Sequence, residues 1–155
     1  MENQKKLHEV GLCLVMLAIV DLVHTILNAI DIFIDDKIDE MIASATNPDV
    51  ANLLRPTLVV IAAVAMLLAI GQILIGVKGM NISKAPTAAK GHITAATVFL
   101  VLNAIAVVSS VYDLISGAET NIISGALSIV TLVLDVVLFA LFIKAAKAVR
   151  KDAQN

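Results

Sequence analysis

The feature that most constrains this chain is its division into four apolar runs of about 20 residues or more, with the charged residues gathered between them. The runs cover about residues 10–34, 57–77, 93–115 and 122–143. A segment of that length crossing about 30 Å of hydrocarbon must pair its own backbone polar groups, which makes each run a helix. A soluble alternative is excluded by composition: 59% of residues are hydrophobic and 15% charged, too apolar for a water-exposed domain of 155 residues. The predicted fold is therefore all-α, a single domain over residues 1–155 forming an integral membrane antiparallel four-helix bundle.

Lys5 and Lys6 ahead of the first run imitate a signal peptide, but no pair of small residues at cleavage spacing follows, so a retained helix is expected. Leu12 stands where a lipoprotein signal needs a small residue before Cys13, and that cysteine precedes the run's centre, which argues against lipidation. A single cysteine has no internal partner, and Cys13 is expected to act as a small packed hydrophobe. With a net charge of −2 and 3% aromatic residues, the chain offers neither a basic field nor stacking platforms for nucleic acid.

Orientation follows from the basic residues, which are retained on the cytoplasmic side. Lys5, Lys6, Lys78, Lys84, Lys90, Lys144, Lys147, Arg150 and Lys151, nine of the eleven, fall on the side that holds both termini and the second loop. Both termini are expected to be cytoplasmic (N-in, C-in), in a multi-pass protein of the cell membrane. The bilayer itself is one partner, and the C-terminal lysines and Arg150 are expected beside anionic headgroups, at about 1 kcal/mol each. A homo-oligomer, or another membrane protein, is the other partner class considered.

The outer loop, residues 35–56, is expected to be partly helical. Ile34, Ile38, Met41, Ile42 and Ala45 recur at helical spacing opposite Asp35, Asp36, Asp39 and Glu40, so the first helix should continue beyond the membrane. Asn47-Pro48-Asp49 should then cap a short helical turn ending near Leu54, with Arg55-Pro56 opening the second span. The acidic face reads chiefly as a solvated surface. The short turn holding Ser116, Gly117, Glu119 and Asn121 makes the third and fourth spans antiparallel neighbours.

The second loop carries a resemblance. Gly71, Gly76, Lys78, Gly79, Pro86, Ala88, Ala89 and Gly91 form a pattern that resembles the hairpin between spans two and three of small, uncharacterised four-span bacterial membrane proteins. The resemblance covers about a quarter of the chain. It implies a fold and no activity.

The residues that bear on function lie inside the spans. Asp21, His24, Asn28 and Asp31 are spaced three, four and three apart, which confines them to one face of the first helix. Ser124, Ser128, Thr131 and Asp135 repeat the pattern in the fourth helix, and Asn103, Ser110 and Asp113 in the third. The second helix offers Ala62, Ala65, Ala69, Gln72 and Gly76, a face small enough for close approach of a neighbour. If each stripe turns inward, Asp21, His24, Asn28, Asn103, Thr131 and Asp135 form an intramembrane polar site. Asp31, Ser110, Asp113, Ser124 and Ser128 then line its outer mouth. The cytoplasmic half is apolar or small, with Gln72 the exception.

An aspartate near the bilayer centre costs about 2.5–3.5 kcal/mol on insertion scales, more than the roughly 0.6 kcal/mol that an average interhelical hydrogen bond returns. Asp21 and Asp135 therefore ask for a role beyond packing, whereas the serines, Thr131 and the asparagines read as hydrogen-bond glue. One histidine among two carboxylates is a weak ligand set, so no metal is expected. His8 and His92, near the cytoplasmic ends, read as interfacial, and no cofactor is expected. No nucleophile elbow, phosphate loop, HExxH or cysteine pair occurs, so the expectation is not an enzyme. The expected function is an outward-open site for a proton, cation or small polar solute, in transport or binding. The alternative is a non-transporting membrane subunit or scaffold whose polar residues only hold the bundle together.

Overall fold

A computed structural model describes residues 2–34, 36–44, 48–84, 91–116 and 122–154. Apart from a closing turn at residues 153–154, every described residue is helical. The elements are α1 (Glu2–Ile34), α2 (Asp36–Ser44), α3 (Pro48–Lys84), α4 (Gly91–Ser116) and α5 (Ile122–Asp152). Helices α1, α3, α4 and α5 are each long and apolar enough to cross a membrane. The four expected runs all lie within them.

The outer segment is helical over α2 (Asp36–Ser44), and residue 35, between it and α1, lies outside the described residues. Two boundaries differ from the expectation, at α3 and α5. The short capped turn and the second span are one helix, because α3 runs through Pro56. A proline inside a helix removes one backbone bond and strains one turn; the bonds on either side suffice to continue the helix. Asn47 lies outside the described residues. Finally, α5 continues beyond the apolar run to Asp152, since Lys-Ala-Ala-Lys-Ala-Val-Arg-Lys is rich in strong helix formers. Arg150 and Lys151 also sit in its last turn, where positive charge suits the helix dipole.

Packing divides the chain into two units, Met1–Leu17 with Gln72–Asn155, and Ala18–Gly71. The core of the first is built from all four long helices: Leu7 and Leu14 of α1, Ile75 and Ile82 of α3, Ala96 of α4, and Phe139, Phe142, Ala146 and Val149 of α5. The spacings of three, four and seven within each helix place these side chains on one stripe, which is why that stripe packs inward. Phe139 and Phe142 are fully buried and meet α4 through Phe99, at 5.5 Å between ring centroids, and His92, at 6.0 Å edge-on. His92, expected at an interface, is only 6% exposed because it begins the α4 stripe that continues to Ala96.

Glycine sets the α1–α3 approach in this unit. A Cβ on Gly76 would lie 2.6 Å from the carbonyl oxygen of Gly11, and one on Gly11 would lie 2.8 Å from that of Gly76. Backbone meets backbone there, a contact only glycine permits. A Cβ on Gly79 would run into the ring of Phe142. At the same end of the unit, Asn3 Nδ2 donates to Asp152 Oδ2 at 2.9 Å, joining the first turn of α1 to the last of α5.

In the second unit Ala18, Ile32, Ala62 and Ala69 are buried. Ile38 and Ile42 of α2 are half-buried while Asp36, Asp39 and Glu40 are exposed, as the spacing predicts for a solvated acidic face. Arg55 Nη2 of α3 holds Asp39 Oδ1 of α2 at 2.6 Å. Cys13, expected to pack, is exposed on α1. Its neighbours Gly11 and Leu14 take the inward positions, and 100° per residue carries position 13 away from that stripe.

Candidate functional site

The buried polar centre of the first unit is a pair, Gln72 of α3 and Asp135 of α5. Gln72 Nε2 donates to Asp135 Oδ1 at 2.7 Å, with the two residues 5% and 4% exposed. Helical register puts them there: Asp135 lies four and seven residues before Phe139 and Phe142, and Gln72 three residues before Ile75, all on inward faces. The apolar core therefore ends in a carboxyl–amide bond shielded from surrounding solvent or lipid. Burial strengthens such a bond and also makes either group costly without its partner.

The other polar residues of this unit are held differently. Asn103, half-buried, donates through Nδ2 to the Phe99 carbonyl of its own helix at 3.0 Å. Thr131, half-buried, donates to the Leu127 carbonyl at 3.1 Å. Both side chains thus satisfy themselves within one helix, with no cross-helix partner required. Ser110 is half-buried, whereas Asp113 and Ser128 are exposed. The side chain of Ser124 lies outside the described residues.

Asp21, His24 and Asn28 belong to the second unit. Asp21 is half-buried and its carbonyl accepts from Thr25 Oγ1 at 2.8 Å; His24 and Asn28 are exposed, and the side chain of Asp31 lies outside the described residues. The buried positions Ala18 and Ile32 define an inward line that passes near Asp21 and Thr25. At 100° per residue, Asp21 falls roughly 40°, Asn28 roughly 60° and His24 roughly 100° to one side of its midline. The polar stripe of α1 is therefore a flank and not the centre of the inward face.

No family model, curated protein or solved structure matches this chain. The site must be read from its own chemistry. Among the described residues no three His, Cys, Asp or Glu side chains gather as a metal-ligand set. The partnership of Gln72 with Asp135 is what sequence reasoning missed. The signal for each half was present, since Gln72 continues the small face Ala62, Ala65 and Ala69, and Asp135 ends a polar stripe. The axial register between α3 and α5, which joins them, is a tertiary quantity.

Proposed function

We propose that this is a multi-pass membrane protein that handles a proton, cation or small polar solute, in transport or binding, with Asp135 as the central group. The observation that carries the reading is the burial of Asp135 on the inward face of an apolar helix, held by Gln72 at 2.7 Å. A carboxyl so placed is costly in lipid, and ionisable groups inside spans commonly mark ion and solute pathways. In the first unit Asn103 and Thr131 belong to the same proposed set as Asp135; in the second, Asp21 and His24 are further ionisable groups near mid-length of α1, on one face with Asn28.

The reading includes an antiparallel bundle with both termini cytoplasmic. Supporting it, Asn3 bonds to Asp152, and the pairs His92–Phe142 and Phe99–Phe139 run in opposite chain directions along α4 and α5. The same end carries Lys78, Lys144, Lys147, Arg150 and Lys151, the charge expected inside.

A second reading, a membrane subunit or scaffold without transport, is favoured by the local bonds of Asn103 and Thr131, which need no solute. Proton and alkali-cation flux in liposomes separates the two. Native protein should conduct or exchange, and Asp135→Asn should abolish flux with the fold intact; Asp21→Asn should reduce it. No flux under any imposed gradient, with all three chains equally stable, would leave the scaffold reading in place.

A further inference from the structure

Two groups of basic residues lie at the end of the first unit that joins the start of α1 to the close of α5, and their electrostatic states differ. On α1, Lys6 Nζ holds Glu2 Oε1 at 2.6 Å and Lys5 Nζ lies 3.8 Å from Glu9 Oε1, so the two lysines are matched by two carboxylates on their own helix. On α5, Lys144, Lys147, Arg150 and Lys151 form no ion pair among the described residues. The nearest acid in sequence, Asp152, accepts from Asn3 instead.

The direction of the α5 lysines is set by helical register. Phe142, Ala146 and Val149 are buried and fall within roughly 60° of one another. Lys144, Lys147 and Lys151 fall within roughly 60° on the opposite side, about 170° away, and all three are exposed. They continue the exposed apolar row Val133, Val137 and Ala140 at steps of four, three and four residues, the spacing of one helix face. The surface turns from apolar to cationic within one turn after Ala140. On α3, exposed Leu74 is followed four residues later by exposed Lys78 in the same way. Such a row meets lipid tails and then phosphates; it does not line an inward pocket.

We infer that the exposed lysine row of α5, with Lys78 of α3, is a binding surface for the phosphate groups of anionic phospholipids, whereas Lys5 and Lys6 contribute nothing to lipid selection. The three α5 lysines span about 10 Å along the axis, and their flexible stems allow the ammonium groups to converge on one headgroup layer while the alkyl parts stay against lipid. The intrahelical pairs of α1 cancel the field that would otherwise attract the same lipids. The inference is independent of whether Asp135 serves transport.

The test uses the full chain in nanodiscs and spin-labelled phosphatidylglycerol, with spin-labelled phosphatidylcholine as the neutral reference. Native protein should prefer the anionic lipid, and preference should fall by about fivefold for each α5 lysine replaced by glutamine. The triple variant Lys144→Arg, Lys147→Arg, Lys151→Arg should retain it, and removing both α1 pairs together (Glu2→Gln, Lys5→Gln, Lys6→Gln, Glu9→Gln), which leaves the net charge of that segment as it was, should leave it unchanged. Salt at about 1 M, where the screening length is about 3 Å, should erase the preference of the native chain without any substitution. Millimolar inorganic phosphate should not displace the lipid. Native protein without anionic preference, equal loss on removing both α1 pairs together, or retention in the variant with Lys144, Lys147 and Lys151 all replaced by glutamine would each overturn the inference.

Discussion

Replacing Gln72 by leucine removes the donor of the 2.7 Å bond to Asp135 while leaving an apolar side chain in the core. Interhelical side-chain hydrogen bonds in membrane proteins contribute about 0.6 kcal/mol on average and about 1.7 kcal/mol at most. Here both partners are about 5% exposed, so solvent does not reach in to take the place of the lost donor. The upper part of that range applies, and Gln72→Leu should cost about 1–1.7 kcal/mol. Asp135→Asn keeps an oxygen that can accept from Gln72, and its cost should stay within about 0.6 kcal/mol. Changing both residues to leucine leaves neither polar group stranded, so a double-mutant cycle should return a coupling of about 1 kcal/mol. Pulse proteolysis across a denaturing-detergent titration in mixed micelles would measure these differences. A neutral Gln72→Leu together with a loss above about 2 kcal/mol for Asp135→Asn would refute the reasoning. The carboxyl would then be a structural element held by something other than Gln72.

Two further substitutions test the packing. Gly76→Ala places a methyl 2.6 Å from the Gly11 carbonyl oxygen and 2.7 Å from Val15 Cγ2, so α1 and α3 must separate locally. Overpacking of this kind should cost about 1–3 kcal/mol in the same proteolysis assay, despite the roughly 1 kcal/mol by which alanine favours helix over glycine. In the other unit, Asp39→Asn removes the ion pair with Arg55, whose side chains are 35% (Arg55) and 63% (Asp39) exposed. Solvent screening limits the loss to below about 1 kcal/mol, and a larger value would mean that the pair is shielded.

Sequence periodicity alone determined the all-helical class and the four long apolar helices, because the helix-forming requirement in lipid is local to each segment. It also identified a small face of α3, since Ala62, Ala65, Ala69, Gln72 and Gly76 share one helical stripe, of which Ala65 is half-buried and the other four are buried. Boundaries were less legible: Pro56 marks a helix start by local preference, and only continuous bonding on both sides carries α3 through it. The stripe of α1 shows the main limit. Spacing established that Asp21, His24 and Asn28 lie near one another on a helix surface, but a helix has no preferred rotation about its own axis until its neighbours are placed. Within the second unit, packing at Ala18 and Ile32 sets that rotation, leaving Asp21 half-buried and His24 and Asn28 exposed. In the same way Gln72 and Asp135 could each be assigned a face from sequence. Their bond needed the axial register of α3 against α5, which depends on how glycines and aromatic rings from separate helices interlock, as at Gly79 and Phe142.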